Sequence, residues 1–387
     1  MFSARSRFDL RTNRLSAGLA AKRAAGARIL DLTLSNPTEA GLACPEDLLQ
    51  ALARPAARRY EPMPFGLPAA REAVAADFAR RGAAVPEERI VLTASTSEAY
   101  AFLFKLLADP GDEILVPRPG YPLFEFLAGL ESVSVTGYPL AWDGEWHLDP
   151  SALRAAVSDR TRAIVSVNPN NPTGSFLKRE ELAALDRLCA ERSLALVSDE
   201  VFADFGFAPD ARRAPSVANG GEALAFALGG LSKSCALPQL KLAWTAVSGP
   251  PRLVAEALAR LELIADSYLS VSTPVQTAAP ELLARRDELQ APVHARTRAN
   301  LACLRARLPG SAATLLEPEG GWYAVLRVPA TLSEEERVLR LLADHDLLVH
   351  PGYFFDFPHE AFLVLSLLAR EDDFALGVTR LLAGLVL

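Results

Sequence analysis

The stretch Ala223-Leu224-Ala225-Phe226-Ala227-Leu228, continued by Gly229-Gly230 and then Leu231-Ser232-Lys233-Ser234, decides how this chain is read. Its first six residues form a near-continuous apolar run, the mark of a strand buried on both faces. The run ends in a polar segment that carries Lys233. Two upstream segments repeat the arrangement. Ala163–Val167 leads into Asn168-Pro169-Asn170-Asn171-Pro172-Thr173-Gly174, and Ala195-Leu196-Val197-Ser198 leads into Asp199-Glu200. In chain order, an amide, a carboxylate and a lysine each close a predicted buried strand.

Outward from these strands the pattern alternates. A helix over Pro68–Arg81 precedes a strand at 90–93, and a helix over Ser97–Leu107 follows. Further strands are expected at Glu113–Val116, Ser132–Tyr138 and Leu242–Val247, with a helix over Arg179–Arg192. Short apolar strands between helices predict an α/β fold, a three-layer large domain whose mainly parallel sheet is covered on both faces. Residues 250–290 read as a long helical connection broken near Pro274. From 291 to 387 a helix, strands near Trp322–Val328, Leu347–His350 and Phe362–Leu367, and a closing helix predict a smaller α+β domain. The expected boundaries are 45–285 for the large domain and 1–44 with 286–387 for the small one.

Half of the 387 residues are hydrophobic and 22% are charged, as in an ordinary globular protein. Acidic residues outnumber basic ones 47 to 40, which argues against a nucleic-acid surface. No apolar stretch reaches the length of a membrane span, and Met1-Phe2-Ser3-Ala4-Arg5 opens no signal peptide. Cys44, Cys189, Cys235 and Cys303 lie far apart and the histidines are scattered, so no metal site is expected. The thiols read as buried and reduced, which makes the cytoplasm the expected location.

Ligands of such sheets collect at the carboxyl ends of the strands. Ser95-Thr96-Ser97 after the strand at 90–93, Asn171, Asp199 and Lys233 all fall there. Each has an ordinary reading alone. Ser95 with Glu98 is a capping box, and Asp199 is either a helix cap or a buried partner for a cation. Tyr121, in Pro117-Arg118-Pro119-Gly120-Tyr121-Pro122, is a packed loop aromatic, and a lone Lys233 is a surface lysine. Taken together they suit one cofactor. A helix N-terminus with hydroxyls binds phosphate, and an aromatic ring covers a planar one. A carboxylate keeps a pyridine nitrogen protonated, and a lysine amine forms an imine. That set suits pyridoxal 5'-phosphate used as an electron sink.

From about Asn36 to Gly352 the chain resembles the class I/II aminotransferases, the aspartate-aminotransferase-like branch of fold-type I pyridoxal-phosphate enzymes. The most specific pieces are Asn-Pro-Asn-Asn-Pro-Thr-Gly (168–174), Ser-Asp-Glu-Val-Phe (198–202) and Leu-Ser-Lys (231–233). The resemblance implies that Lys233 is the imine lysine and proton shuttle. It sets Asp199 against the pyridine nitrogen, Asn171 against the ring hydroxyl oxygen and Tyr121 on the ring face. Ser95, Thr96, Ser97 and Lys241 would surround the phosphate, and Asn36 and Asn171 would meet the substrate. Tyr60 would reach the phosphate of a neighbouring subunit, which implies a homodimer with shared sites. The implied activity is ping-pong transfer of an amino group from an amino acid to a 2-oxo acid. Lyases, decarboxylases and racemases use the same scaffold and form the alternative. A non-catalytic regulatory module is a third reading, against which Lys233, Asp199 and Asn171 all speak.

Three positions depart from the family pattern. Phe202 stands where a tyrosine usually donates to the ring oxygen, which implies a higher imine pKa. Lys241 replaces an arginine and loses its bidentate fork. Within Phe362-Leu363-Val364-Leu365-Ser366, Val364 takes the place of the arginine that clamps a substrate α-carboxylate. Arg118, Arg327 and Arg370 are the candidates to replace it. The dense aromatic loop His350–Phe357 is either a substrate-pocket wall or a plug between domains.

Overall fold

The computed structural model describes residues 1–42 and 44–385. In chain order the strands are β1 (Leu30–Asp31), β2 (Ile90–Thr93), β3 (Glu113–Arg118), β4 (Ser134–Trp142), β5 (Trp146–Leu148), β6 (Thr161–Val167) and β7 (Ala195–Asp199). They continue with β8 (Ala225–Gly230), β9 (Ala243–Ser248), β10 (Thr314–Leu316), β11 (Tyr323–Arg327), β12 (Leu347–Leu348), β13 (His350–Pro351) and β14 (Phe362–Ser366).

Eight of these form one sheet in the order β2-β9-β8-β7-β6-β3-β4-β5. The neighbours from β8 to β4 are parallel, while β9 and β5 run against their neighbours. The chain is thus α/β with a mainly parallel central sheet, as the apolar runs predicted. Alternate side chains go to opposite faces. Leu196, Ala225 and Ala227 join the core layer built on Phe78, Leu185 and Leu282. Val197, Phe226 and Leu228 join the layer on the other face, with Phe102, Leu103 and Leu261. Two buried faces explain why these strands read as continuous rather than alternating apolar runs.

A second, antiparallel sheet has the order β10-β11-β14-β13 and its own core around Leu326, Leu341, Leu363 and Phe374. The N-terminal segment is tied to this part of the molecule. β1 pairs with β12, Leu30 opposite Leu347, and Lys22 Nζ lies 2.8 Å from Asp346 Oδ1.

The structure differs from expectation in three places. The strand expected at Ser132–Tyr138 runs on to Trp142 and turns back as β5, placing Trp142 opposite Trp146. The turn uses Gly144 at φ 120°, a conformation open to glycine. The strand expected at Leu242–Val247 is the antiparallel β9. The helical connection comprises three helices, Pro251–Tyr268, Thr273–Ala284 and Arg286–Arg307. Its first break falls at Leu269, with φ at 68°. Pro274 sits in the first turn of the second helix, where a missing N–H costs nothing.

Directly before Lys233, β8 packs against β9 with no room to spare. A Cβ at Gly229 would lie 2.3 Å from Nε1 of the buried Trp244 opposite it. Overpacking of this kind costs about 1–3 kcal/mol. Gly229→Ala is therefore expected to lower the midpoint of thermal unfolding. A variant that melts with the parent would refute this close contact.

Candidate active site

The carboxyl ends of β2, β6, β7 and β8 meet at one cleft. Thr96, Ser97, Tyr121, Asn171, Asp199 and Lys233 all line it, in a cavity of about 150 Å³. It opens past Lys233 into a mouth of about 420 Å³ walled by Ser35, Asn36, Pro37 and Gln239.

β2 ends at Thr93, and Ser95 caps the helix Thr96–Leu107. Ser95 Oγ accepts from the Glu98 N–H at 3.1 Å, and Glu98 Oε2 accepts from the Ala94 N–H at 2.6 Å. The Ser95 hydroxyl oxygen thus accepts from the backbone, and its O–H remains able to donate. Thr96 and Ser97 present the first helical turn to the cleft, where unpaired N–H groups and the helix dipole favour an anion.

The loop after β6 divides its asparagines by role. Asn168 Oδ1 accepts from the Leu177 N–H at 3.0 Å, and Asn170 Oδ1 accepts from the Thr173 hydroxyl at 3.0 Å. Both hold the turn. Asn171 alone faces the cleft, with its Oδ1 buried and unpartnered. A polar atom left unpaired away from water is costly, so this amide fits a ligand contact.

Asp199 closes β7. Tyr100 donates its hydroxyl to Asp199 Oδ2 at 3.1 Å, and the Val201 N–H donates to Oδ1 at 3.2 Å. Burial outweighs these donors and the attraction of Lys233, pushing the carboxyl up to about 6. Tyr100 was not anticipated from the sequence. It lies one helical turn beyond Thr96, so the spacing alone could have flagged it.

Lys233 stands on the single turn Leu231–Ser234 after β8. Its Nζ lies 5.1 Å from the Trp322 ring centroid and 5.8 Å from that of Phe202. Burial holds the amine below its ordinary pKa, and Asp199 opposes that shift. A lowered pKa raises the fraction of uncharged, nucleophilic amine. Phe202, Phe205 and Trp322 pack edge to face beneath it, with centroids 5.2–6.5 Å apart. Tyr323 of β11 and Ser35 complete the cleft from the other side of the molecule. Trp322, Tyr323 and Ser35 were also missed, because in sequence they read as core and loop.

Other sequence candidates lie elsewhere. Lys241 is exposed, just beyond the turn Pro238–Leu240, and Tyr60 is 66% exposed. Asn36 reaches the mouth, but its Oδ1 accepts from the Thr38 hydroxyl at 2.9 Å. Arg118 pairs with Asp356 at 2.5 Å and Glu125 at 3.0 Å. Arg327 is exposed at the far end of β11 from Tyr323, and Arg370 lies against Gly41. None of the three lines the cleft. Val364 is fully buried in an apolar cluster with Trp146, Leu316, Val325, Phe355 and Phe357. The aromatic loop thus packs against β14 here, and among the described residues Lys233 is the only cation lining the cleft.

These groups fit pyridoxal phosphate. Asp199 is a buried carboxylate short of a cation, Asn171 has an unmatched amide oxygen, and a helix N-terminus waits for an anion. Fold and site together define a fold-type I pyridoxal-phosphate enzyme. The sequence profile of the family "Aminotransferase class I and II" matches residues 27–373. The glutamate-pyruvate aminotransferase AlaA of Escherichia coli K12 is 27% identical over 367 residues, covering 92% of this chain and 90% of that protein. The alanine aminotransferase of Mycobacterium tuberculosis H37Rv is 28% identical over 377 residues, covering 92% and 86%. A double mutant of Thermus thermophilus aspartate aminotransferase superposes with a TM-score of 0.87 at 25% identity, covering all of both chains. The chain belongs to the aminotransferase class I and II family and is a pyridoxal-phosphate-dependent aminotransferase.

The Asp199 carboxyl yields a pH prediction for the cofactor-free protein. Its pKa is raised from 3.8 to about 6, so the folded state holds this proton more tightly than the unfolded chain. Its contribution to stability is therefore present at low pH and lost as pH rises through that window. Asp199→Asn should flatten this part of the stability profile. Urea midpoints measured across the window test it, and parallel profiles for parent and variant would exclude Asp199 as the titrating group.

Proposed function

We propose that the protein moves an amino group from an amino acid to a 2-oxo acid in two half-reactions that share one site, with Lys233 as the covalent anchor and proton carrier. The observation that carries this reading is the Lys233 amine over an aromatic floor, with Asp199 beside it at the end of the adjacent strand. Pyridoxal phosphate, when bound, supplies the sink for electrons released at the substrate's α-carbon. Lys233 Nζ would hold the cofactor covalently at rest. Lys233 Nζ would also hold and move the substrate's α-proton, as a general base and then a general acid. Asp199, oriented by Tyr100, supplies the negative charge that keeps a pyridine nitrogen protonated. Asn171 would hold the ring oxygen, Tyr121 would cover the ring, and Thr96 and Ser97 with their helix N-terminus would hold the phosphate. Asn36 borders the substrate at the mouth.

The homodimer and a cytoplasmic location belong to the same reading. Met63 is tied to Ser270, whose hydroxyl donates to the Met63 carbonyl at 2.9 Å. Tyr60, Met63, Tyr268 and Leu269 surround that contact as exposed large apolar groups. Such a patch suits a second copy of this chain, whose site Tyr60 would reach. All four cysteines are free, and no described helix is long and apolar enough to cross a membrane.

One observation supports a second reading. A cleft with no guanidinium among its described lining residues suits amines that lack an α-carboxylate. Alanine and glutamate, in the names of the relatives, are the first donors to test. The visible spectrum of the purified protein separates the readings. Conversion of an imine band to the amine form of the cofactor by an amino acid supports amino-acid transamination. Conversion by carboxylate-free amines alone supports the second reading. Lys233→Ala is expected to lower turnover roughly 100- to 10,000-fold while the phosphate contacts retain some cofactor. Parent-like multiple turnover in that variant would remove Lys233 from the mechanism.

A further inference from the structure

The peptides that follow Asp199 and Lys233 rest on one buried polar network. Glu200 is 4% exposed, accepts from the Val217 N–H at 3.1 Å and lies 3.5 Å from Arg81. Asp204 pairs with Arg80 at 2.6 Å and Arg286 at 3.3 Å, and Arg286 also pairs with Asp77. Three carboxylates thus face three guanidiniums, so the network carries no net charge. Gln290 links it to the lysine. The residue is 6% exposed, and its Nε2 donates both to the Ser234 carbonyl at 2.8 Å and to Asp204 Oδ2 at 3.1 Å.

Gln290 lies on the helix Arg286–Arg307, which also supplies Leu301 and Leu304 to the core of the second sheet. Ten residues further along, about 15 Å at helical rise, the buried Asn300 donates to the Leu367 carbonyl at 2.8 Å and the Ala369 carbonyl at 2.7 Å. Leu367 follows β14, and its N–H donates to the Trp322 carbonyl at 2.7 Å. The Trp322 ring is the floor beneath Lys233. One helix therefore grips the peptide beside the lysine at one end and the segment holding that floor at the other. Pro292 lies between the two grips, where it removes one helical hydrogen bond without ending the helix.

We propose that Gln290 is a positioning residue for Lys233, and that the helix Arg286–Arg307 couples the lysine to the segment after β14. The proposal rests on the assignment of Lys233 made above. Gln290 touches neither substrate nor cofactor. It fixes the Ser234 peptide, and with it the direction from which the Lys233 side chain enters the cleft. An error of about 1 Å at such a group is enough for a 100-fold loss in rate.

The test uses the full chain in two states. In the cofactor-free protein, competitive acylation of lysines across a pH series, read by peptide mass spectrometry, reports the titration of the Lys233 amine. In the loaded enzyme, kcat and KM are measured separately. Gln290→Met keeps the size and removes both donors. The expected result is a Lys233 amine that titrates closer to an ordinary lysine by roughly half a unit or more. The same variant should show a kcat lower by about 10- to 100-fold with KM unchanged. Asn300→Ala should move the Lys233 titration in the same direction from the far end of the helix. Gln290→Asn, which keeps the amide but shortens its reach by one methylene, decides the positioning role should Gln290→Met fail to fold.

A folded Gln290→Met protein with parent titration and parent kcat overturns the positioning role. A shift in Gln290→Met without one in Asn300→Ala overturns the coupling. Borohydride reduction of the loaded parent must trap the cofactor on Lys233. If it does not, the assignment of Lys233 fails, and that failure is distinct from the other two.

Discussion

Everything at this site depends on keeping a carboxylate and an amine out of bulk water at the ends of two adjacent parallel strands. Each desolvated charge costs several kcal/mol even after relaxation, and their mutual attraction recovers only part of it. The cost shows in the directions of the shifts, with Asp199 raised and Lys233 lowered. Such a pair persists only where the rest of the fold leaves it no alternative. The parallel register of β7 and β8 provides that constraint, because it sets Asp199 opposite Leu228, two residues before β8 ends and turns into the Lys233 segment, and both strands are buried on both faces.

The second sheet is part of the same constraint. Its Trp322 lies under the lysine and its Tyr323 lines the cleft opposite Tyr121. Two contacts join the parts of the molecule at the cleft's edge: the Gly120 N–H donates to the Phe355 carbonyl at 2.9 Å, and Arg118 meets Asp356. Water exclusion around Lys233 is therefore a property of both sheets together. Aromatic side chains suit this task, since they bury a large area with few rotatable bonds.

The elements most legible in the sequence were those whose chemistry is local. A parallel strand covered on both faces must be apolar throughout, so β6, β7 and β8 could be read as runs, and the polar residues ending them stood out. The capping box at Ser95 and Glu98 was legible for the same reason, and in the structure that serine accepts from the backbone. What escaped reading was set by tertiary placement. Asn168, Asn170 and Asn171 are the same residue type within four positions, and only the path of the turn decides which one faces the cleft. Tyr100, Trp322 and Tyr323 are aromatics that any core would accept. β1 and β12 are two-residue strands whose pairing joins segments more than three hundred positions apart, which no local pattern encodes.

Val364 shows how far such a site can drift while its cofactor-facing residues stay fixed. The β14 position that would carry a guanidinium is sealed behind Phe355 and Phe357 in an apolar cluster, where a charge would have no partner. Any carboxylate entering the cleft is left with Lys233, which the chemistry requires free, and with neutral donors such as Asn171 and Tyr323. A neutral hydrogen bond contributes about 0.5–1.5 kcal/mol, against 1.5–3 kcal/mol for one to a charged group. On the function proposed above, recognition would therefore lean on shape and on the aromatic lining of Tyr121, Phe124, Phe202 and Tyr323 more than on charge. The cluster around Val364 packs outside the lining of the cleft, so it can change without disturbing Lys233, Asp199 or Asn171.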